Sequence, residues 1–436
     1  MMDMSAGERE LREYRPAPAL CDGLGLPAHL VWPRYEGRSV GNLAATVGRA
    51  LGVPLDGVLP PLADELLDGM LDGVKRVILL VMDAMGWMAL RRVMATDAGL
   101  VFHRLAEQGR LMPLTTTFLS TTNSVLSSIW TGCPPAQHGL LGYELYLREW
   151  MMAVEAIGFS SPFAPFSNTL LAWGFDPEAF LPVPSLAQRL APFGVPTYSV
   201  IQKGLTSTPL SRMHFRGAKE VRGHSYGSDF WLTLRRTLSA QGNGRRLIAG
   251  YWSAVDTLAH KFGPEDESGE VEIRSIAMLM EDVFLRRLTP EEREGTLLLM
   301  TADHGQIHTP ARQVVAAEAH PALLDMLWMP PVGEGRVPFF YVRDGAHDDA
   351  WAYLHEAFGG EFTFLSRAQL LESGLLGPGE VYREVPYRLG DIIGIATGNS
   401  AFTRTKEGVE RLPGRHGGLS PEEMLVPLLA VRLEKA

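Results

Sequence analysis

The chain has only two cysteines, Cys21 and Cys133, in 436 residues. So few exclude a disulfide framework and a thiolate zinc site. No apolar run approaches the ~18–20 residues of a membrane span. The N-terminal stretch MMDMSAGERELREYRP is polar and lacks the apolar core of a signal peptide. The expectation is a cytoplasmic protein without membrane attachment. Basic residues are also in deficit: 40 Lys and Arg against 50 Asp and Glu leave a net charge of -10. A nonspecific nucleic-acid binder needs the opposite balance. Internal repeats and low-complexity tracts are missing too. What remains is a composition that folds, 46% hydrophobic and 21% charged, on a chain long enough for one large domain with an insertion or for two or three domains.

Three short apolar runs stand out: VILLVM (77–82), LIAGYWSAV (247–255) and TLLLMTA (296–302), each followed at once by an aspartate. Continuous apolar runs of this length read as strands buried on both faces. Amphipathic stretches lie between them, including 184–190, 229–240 and 271–285, so the pattern is a doubly wound α/β sheet. In such sheets ligands bind beyond the carboxyl ends of the strands, where the aspartates fall. Ahead of the first strand, 39–51 and 62–71 have helical spacing. Residues 336–404 alternate strand and helix on a smaller scale. The expected division is an N-terminal segment (1–74), a catalytic core (75–335 and 405–436) and an inserted α/β subdomain (336–404).

The chemistry-bearing residues are aspartate, histidine and threonine. Asp256 and His260 in DTLAH are spaced i, i+4, which on a helix brings both to one face. Asp303-His304-Gly305 follows a strand, with a carboxylate and an imidazole suited to a borderline divalent ion and a glycine that lets the backbone turn sharply. Asp83 ends the first run, and His416 lies among glycines in RHGGLS. Taken singly, each admits a plainer reading: a helix-surface pair, a polar turn, a loop histidine. Together they offer enough ligands for two metals, which in hydrolytic sites sit ~3.5–4 Å apart. The hydroxyl-rich run TTTFLSTTNSVLSSIWTG (115–132) turns apolar and helical. A threonine there either caps a helix or meets an anion at the helix N-terminus.

The set LVMDAMG, STTNSVLSSIWTG with HG five residues on, DTLAH, TADHG and RHGGLSPEEMLVP resembles the alkaline phosphatase superfamily, in particular its type I phosphodiesterase and nucleotide pyrophosphatase branch. The motifs run in the family's order from about residue 75 to the C-terminus. The resemblance implies an alkaline-phosphatase-like three-layer α/β/α fold with a mostly parallel sheet. It implies Thr122, ten residues before Gly132, as nucleophile, with Thr121 as the neighbouring choice of register. It further implies Asp83, Thr122, Asp303 and His304 around one metal, and Asp256, His260 and His416 around the other. The expected cofactors are two divalent ions, with zinc favoured and manganese compatible. The expected partner is a small phosphate ester, possible nucleotides included, cleaved through a phospho-threonine. One position departs from the branch: where nucleotide pyrophosphatases carry an asparagine after the HG motif, this chain has Gly142, Tyr143 and Glu144.

Tyr143 is the candidate substitute donor and Lys203, after TYSVIQ, a candidate phosphate contact. His138 reads as structural, and His308 as a cleft residue at most. Residues 143–172 and 336–404 are expected to shape the substrate pocket. Cys133-Pro-Pro-Ala-Gln137 misses the sulfatase maturation motif in its last residue, which excludes that branch. The alternatives to a diesterase are a phosphomonoesterase or phosphonate hydrolase of the same superfamily, or a partner-dependent component of the kind found in phage defence. Oligomeric state leaves no trace in the sequence.

Overall fold

The computed structural model describes residues 4–16, 21, 23–162, 169–240 and 244–436; of the expected pocket segment 143–172, residues 163–168 lie outside them. The core is a seven-stranded sheet. Its strands are β1 (Arg76–Met82), β2 (Arg110–Thr115), β3 (Thr197–Gln202), β4 (Glu220–His224), β5 (Arg246–Trp252), β6 (Thr296–Thr301) and β7 (Leu425–Arg432). Their order is β2-β7-β6-β1-β5-β3-β4. Among the described residues, the only antiparallel pairings in it are those of β7 with β2 and β6. Strand β1 lies at the centre, parallel to β5 and β6, and all seven of its residues are buried. Burial on both faces explains why its sequence is apolar without alternation.

The register brings the carboxyl ends of the three apolar strands level: Val81 pairs with Tyr251 on one side and Thr301 on the other. Asp83 and Asp303 therefore leave the sheet at the same edge. The second run differs from its sequence reading. Strand β5 stops at Trp252 and the helix Ala254–Phe262 begins two residues later, so Asp256 stands in a helix's first turn, not at a strand end.

Two other expectations shift. Residues 62–71 form only the short turn Asp64–Leu66, flanked by Pro60 and Pro61 and by Gly69 at φ +67°. Leu62, Leu66, Leu67 and Met70 are nevertheless buried, so the spacing marked burial without helix. The helical stretch of 39–51 is split into Val40–Asn42 and Leu43–Ala50.

A second, antiparallel sheet of six strands covers one side of the site. Strands 362–366, 392–396, 338–340 and 332–333 come from around the expected insertion, and 144–147 and 152–155 from the segment after the HG motif. Two distant stretches of chain thus build one wall. No helix among the described residues is long and apolar enough to cross a membrane.

Candidate metal centre

Two triads meet at the sheet's carboxyl edge: Asp83, Asp303 and His304, and Asp256, His260 and His416. Within each, one ligand atom per residue lies within 4.8 Å of the others. The first triad is sealed. Asp83 takes a hydrogen bond from Tyr251 Oη through Oδ2, and Asp303 Oδ1 takes the backbone N–H groups of Ala84 (3.1 Å) and His304 (2.9 Å). The remaining oxygens, Asp83 Oδ1 and Asp303 Oδ2, are buried and have no hydrogen-bond partner. They lie 3.5 and 3.6 Å from His304 Nε2. A buried carboxylate oxygen without a donor is costly unless a cation meets it. Burial, reinforced by Asp303 and Asp256, raises the Asp83 carboxyl well above its ordinary range. Ala84 follows it in the left-handed region at φ +56°, a conformation that costs a residue with a Cβ roughly 1–2 kcal/mol.

The histidines share one arrangement. His304 Nδ1 donates to Gly305 O (3.0 Å), His260 Nδ1 to Gly414 O (2.8 Å) and His416 Nδ1 to Ser120 O (3.0 Å). A carbonyl only accepts, so in each neutral ring the proton sits on Nδ1 and Nε2 presents a lone pair. The Nε2 atoms of His260 and His416 face each other at 3.2 Å, and Asp256 Oδ1 is 3.4 and 3.8 Å from them. Two lone pairs and a carboxylate aimed at one point repel unless a cation or proton lies among them. Burial, with His304 and His260 close by, holds His416 well below its usual pKa, which favours the neutral, ligating form. The rings of His304 and His416 stack at 3.8 Å and tie the two triads together.

Thr122 begins the helix Thr122–Thr131, whose residues are all buried and which ends at Gly132 in the left-handed conformation. Its hydroxyl lies 3.1 Å from His304 Nε2. Thr121 is the residue before the helix, and its hydroxyl turns away to Glu334. Of the two threonines, Thr122 is the one that faces the triads. Gly305 has a different reason from the turn expected of it. A Cβ there would stand 2.0 Å from the Glu422 carbonyl oxygen, so the residue is small because the His416 segment packs against it.

Residues 77–419 match the family model of type I phosphodiesterases and nucleotide pyrophosphatases. The chain belongs to that family. Members depend on metal ions, and membership supports phosphoester hydrolysis. Among solved structures, the chain is similar to murine ectonucleotide pyrophosphatase/phosphodiesterase 5, at 16% identity and TM-score 0.62 over 81% of this chain and 87% of that one. An inactive threonine-to-alanine variant of the murine protein in complex with AMP is 15% identical, with TM-score 0.63 over 82% and 88%. Phosphonoacetate hydrolase from Sinorhizobium meliloti 1021, in complex with phosphonoformate, is 18% identical, with TM-score 0.60 over 82% and 90%. At these identities the likeness is one of fold, and it is the alkaline-phosphatase-like α/β fold that the motifs imply. No curated protein sequence matches the chain.

Around this family site the remaining expected residues fall as follows. Tyr143 lies in the wall of a cavity of 610 Å³ together with His260, His416 and Glu334. Burial, with Glu155 close by and hydrogen-bonded to it, raises its phenol pKa. Lys203 is exposed in the turn after β3 and lines neither that cavity nor the smaller one of 210 Å³ beside Thr122. His138 is buried; its Nδ1 accepts from Leu140 N–H (3.1 Å) and its Nε2 meets Ser128 Oγ (3.0 Å). Burial, aided by His214 and Arg388, pushes its pKa down to about 3. His308 is exposed on the short strand beside Gly414–Arg415 and belongs to neither triad.

Four supporting residues escaped the sequence reading. Tyr251 anchors Asp83, and Gln306 Nε2 donates to Asp256 Oδ1 at 2.6 Å. Glu334 accepts from the Thr121 hydroxyl and from Tyr143 N–H; burial raises its carboxyl to about 8. Arg336 forms a fully buried two-point pair with Glu423 (3.0 and 2.9 Å), which in turn accepts from Gly418 N–H. That pair fixes the loop carrying His416. Tyr251 and Gln306 lie next to recognised motifs and were findable; nothing local marks Glu334 or Arg336.

Proposed function

We propose that the chain is a two-metal phosphodiesterase in which Thr122 is the nucleophile. Asp83, Asp303, His304 and Thr122 would hold one ion, and Asp256, His260 and His416 the other. The observation that carries this reading is the convergence of acceptors: two carboxylate oxygens without a partner and three Nε2 lone pairs, with the Thr122 hydroxyl against that of His304. The donors fit the group: imidazole and carboxylate without sulfur suit zinc and admit manganese. Bound there, two divalent ions would favour the Thr122 alkoxide and neutralise the charge that builds on the phosphoryl oxygens.

The protein's share of the work is alignment. The Thr122 oxygen attacks phosphorus, the bond to the alcohol breaks, and the alcohol leaves with a proton. A water molecule then cleaves phospho-Thr122 and releases the monoester. Two in-line displacements give net retention. The helix N-terminus under Thr122 adds free N–H groups toward the phosphoryl oxygens. Tyr143 would supply the donor that the resembled branch draws from asparagine, and Lys203, outside both cavities, would meet substrate only at the rim. The inactive threonine-to-alanine variant of the murine neighbour is in keeping with this role.

The likeness to phosphonoacetate hydrolase keeps a phosphonate substrate as a second reading. The test is steady-state hydrolysis of bis-p-nitrophenyl phosphate, p-nitrophenyl phosphate and a phenylphosphonate ester by zinc-loaded and chelated protein. Metal-dependent preference for the diester is the expected result. Preference for the monoester or the phosphonate would move the chain to that branch, and metal-independent turnover would refute the two-metal reading.

A further inference from the structure

The cavities around the triads are chemically unequal, and Thr122 lines only one of them. The smaller, of 210 Å³, is bounded by Thr122, Asp83 and Asp256 at one end and by Leu126, Trp130 and Phe215 beyond. Among the described residues no lysine or arginine lines it, and its histidine, His214, is buried with its pKa pushed down to about 3. The larger, of 610 Å³, reaches the site from the side of His260 and His416. It shares Pro330, Val332 and Arg404 with a third cavity of 560 Å³. That third space is apolar, with Met151, Met152, Trp328 and Met329 in its wall. Met151 is 83% exposed and Trp328 58%, an apolar surface that water alone does not favour. Methionines adapt to apolar partners of varied shape. Arg404, at the junction, is paired with Glu144 and brings no net charge.

In-line attack fixes which space takes which half of the substrate. The departing oxygen lies opposite the Thr122 oxygen, hence toward His260 and His416. We propose that the departing alcohol carries an apolar arm that lies in the Met151–Trp328 cavity, while the retained substituent is small and uncharged and fills the cavity beside Thr122. This inference rests on the two-metal reading above and names the substrate class for it: a phosphodiester with an amphiphilic leaving group. Both cavities fall in the size range of small-ligand sites or just below it.

Two ester series separate the halves on zinc-loaded protein. In the first, methyl 4-alkylphenyl phosphates, the tail leaves with the phenol; in the second, alkyl 4-nitrophenyl phosphates, it stays on phosphorus. In the first series kcat/KM is expected to rise about three- to fourfold per added methylene until the arm fills the cavity. In the second it should level off or fall once the alkyl group outgrows the small cavity. The double variant Trp328→Ala, Met151→Ser changes two exposed side chains. It should flatten the first series. A flat first series with sound turnover of bis-p-nitrophenyl phosphate would overturn this inference and leave the two-metal reading standing, as would a rise confined to the second. No metal-dependent turnover of any ester would overturn both.

Discussion

Asp83→Asn should make the metal-free protein more stable and the metal-loaded protein less so. In the sealed triad one oxygen each of Asp83 and Asp303 lie within 4.8 Å. Two charges at that distance repel by about 3.5 kcal/mol at an effective dielectric of ~20. Asp83 answers by holding its carboxyl pKa well up, chiefly through burial. A raised carboxyl pKa is a stability cost that sets in as pH climbs above the unfolded value and is complete above the folded one. An asparagine has no such cost and its side-chain oxygen can still accept from Tyr251. The metal-free variant should therefore gain about 1–3 kcal/mol near neutral pH, the lower figure applying if the wild-type pair keeps a proton.

With metal the order reverses. Each ion bound at a hundred times its Kd adds about 2.7 kcal/mol, and the variant forfeits the ion of the sealed triad. Urea unfolding in chelator and in excess zinc, with metal counted by plasma emission, reads both halves. A variant less stable than wild type in chelator would show that Asp83 is an ordinary hydrogen-bonded carboxylate. Equal metal content would show that it is no ligand. Either result would refute the argument from orphaned oxygens.

Thr122→Ala should lower turnover of a diester by at least about a thousandfold with the ion of the open triad retained, and Thr122→Ser should recover part of it; near-normal turnover in the alanine variant, by steady-state assay, would remove Thr122 from the mechanism. Arg336→Ala leaves Glu423 buried and unpaired, so it should cost about 3–5 kcal/mol in urea unfolding and lower activity by loosening the His416 loop. Burial opposes the Glu423 charge, yet Arg336 and the Gly418 N–H hold its pKa below the usual carboxylate value; its stabilising share is present above that usual value and lost as pH falls through the lowered one. Wild type should accordingly lose stability on acidification over that range, and Glu423→Gln should lose less.

The fold was legible in three runs of sequence because strands buried on both faces leave a composition signal, unbroken apolar residues, that needs no partner to be seen. The same runs located Asp83 and Asp303. Asp256 was harder: β5 ends at Trp252 and a helix carries this residue, so the i, i+4 spacing to His260 was the truer clue. His416 and Thr122 had no local signal stronger than a glycine-rich loop and a hydroxyl-rich helix start; the order of the motifs singled them out. The second sheet was legible only in part. Its strands 144–147 and 152–155 join 332–396 across almost two hundred residues of chain, and pairing at that range leaves no periodicity to read. Glu334 and Arg336 escaped for the same reason. Each acts through partners far off in sequence, Thr121 and Glu423, and a lone Glu or Arg near a strand reads as a surface charge.

The two triads also differ in access, and that difference has a kinetic consequence. Side chains of Asp83, Asp303 and His304 are 3%, 0% and 0% exposed, against 16%, 25% and 9% for Asp256, His260 and His416. An ion in the first triad faces only the small cavity that Asp83 and Thr122 line. An ion in the second faces a cavity open to solvent. Metal loss to a chelator should then run in two phases of equal amplitude, one ion each. Activity should fall with the fast phase, because the departing alcohol needs the open site. His260→Ala should remove the fast phase and keep the slow one, since His260 lies 25% exposed at the rim and touches no member of the sealed triad within its cluster. Stopped-flow release followed with a zinc-sensitive dye resolves the phases. A single phase carrying both ions would mean that the triads open together, and the stacking of His304 on His416 at 3.8 Å would then be the coupling that makes them one unit.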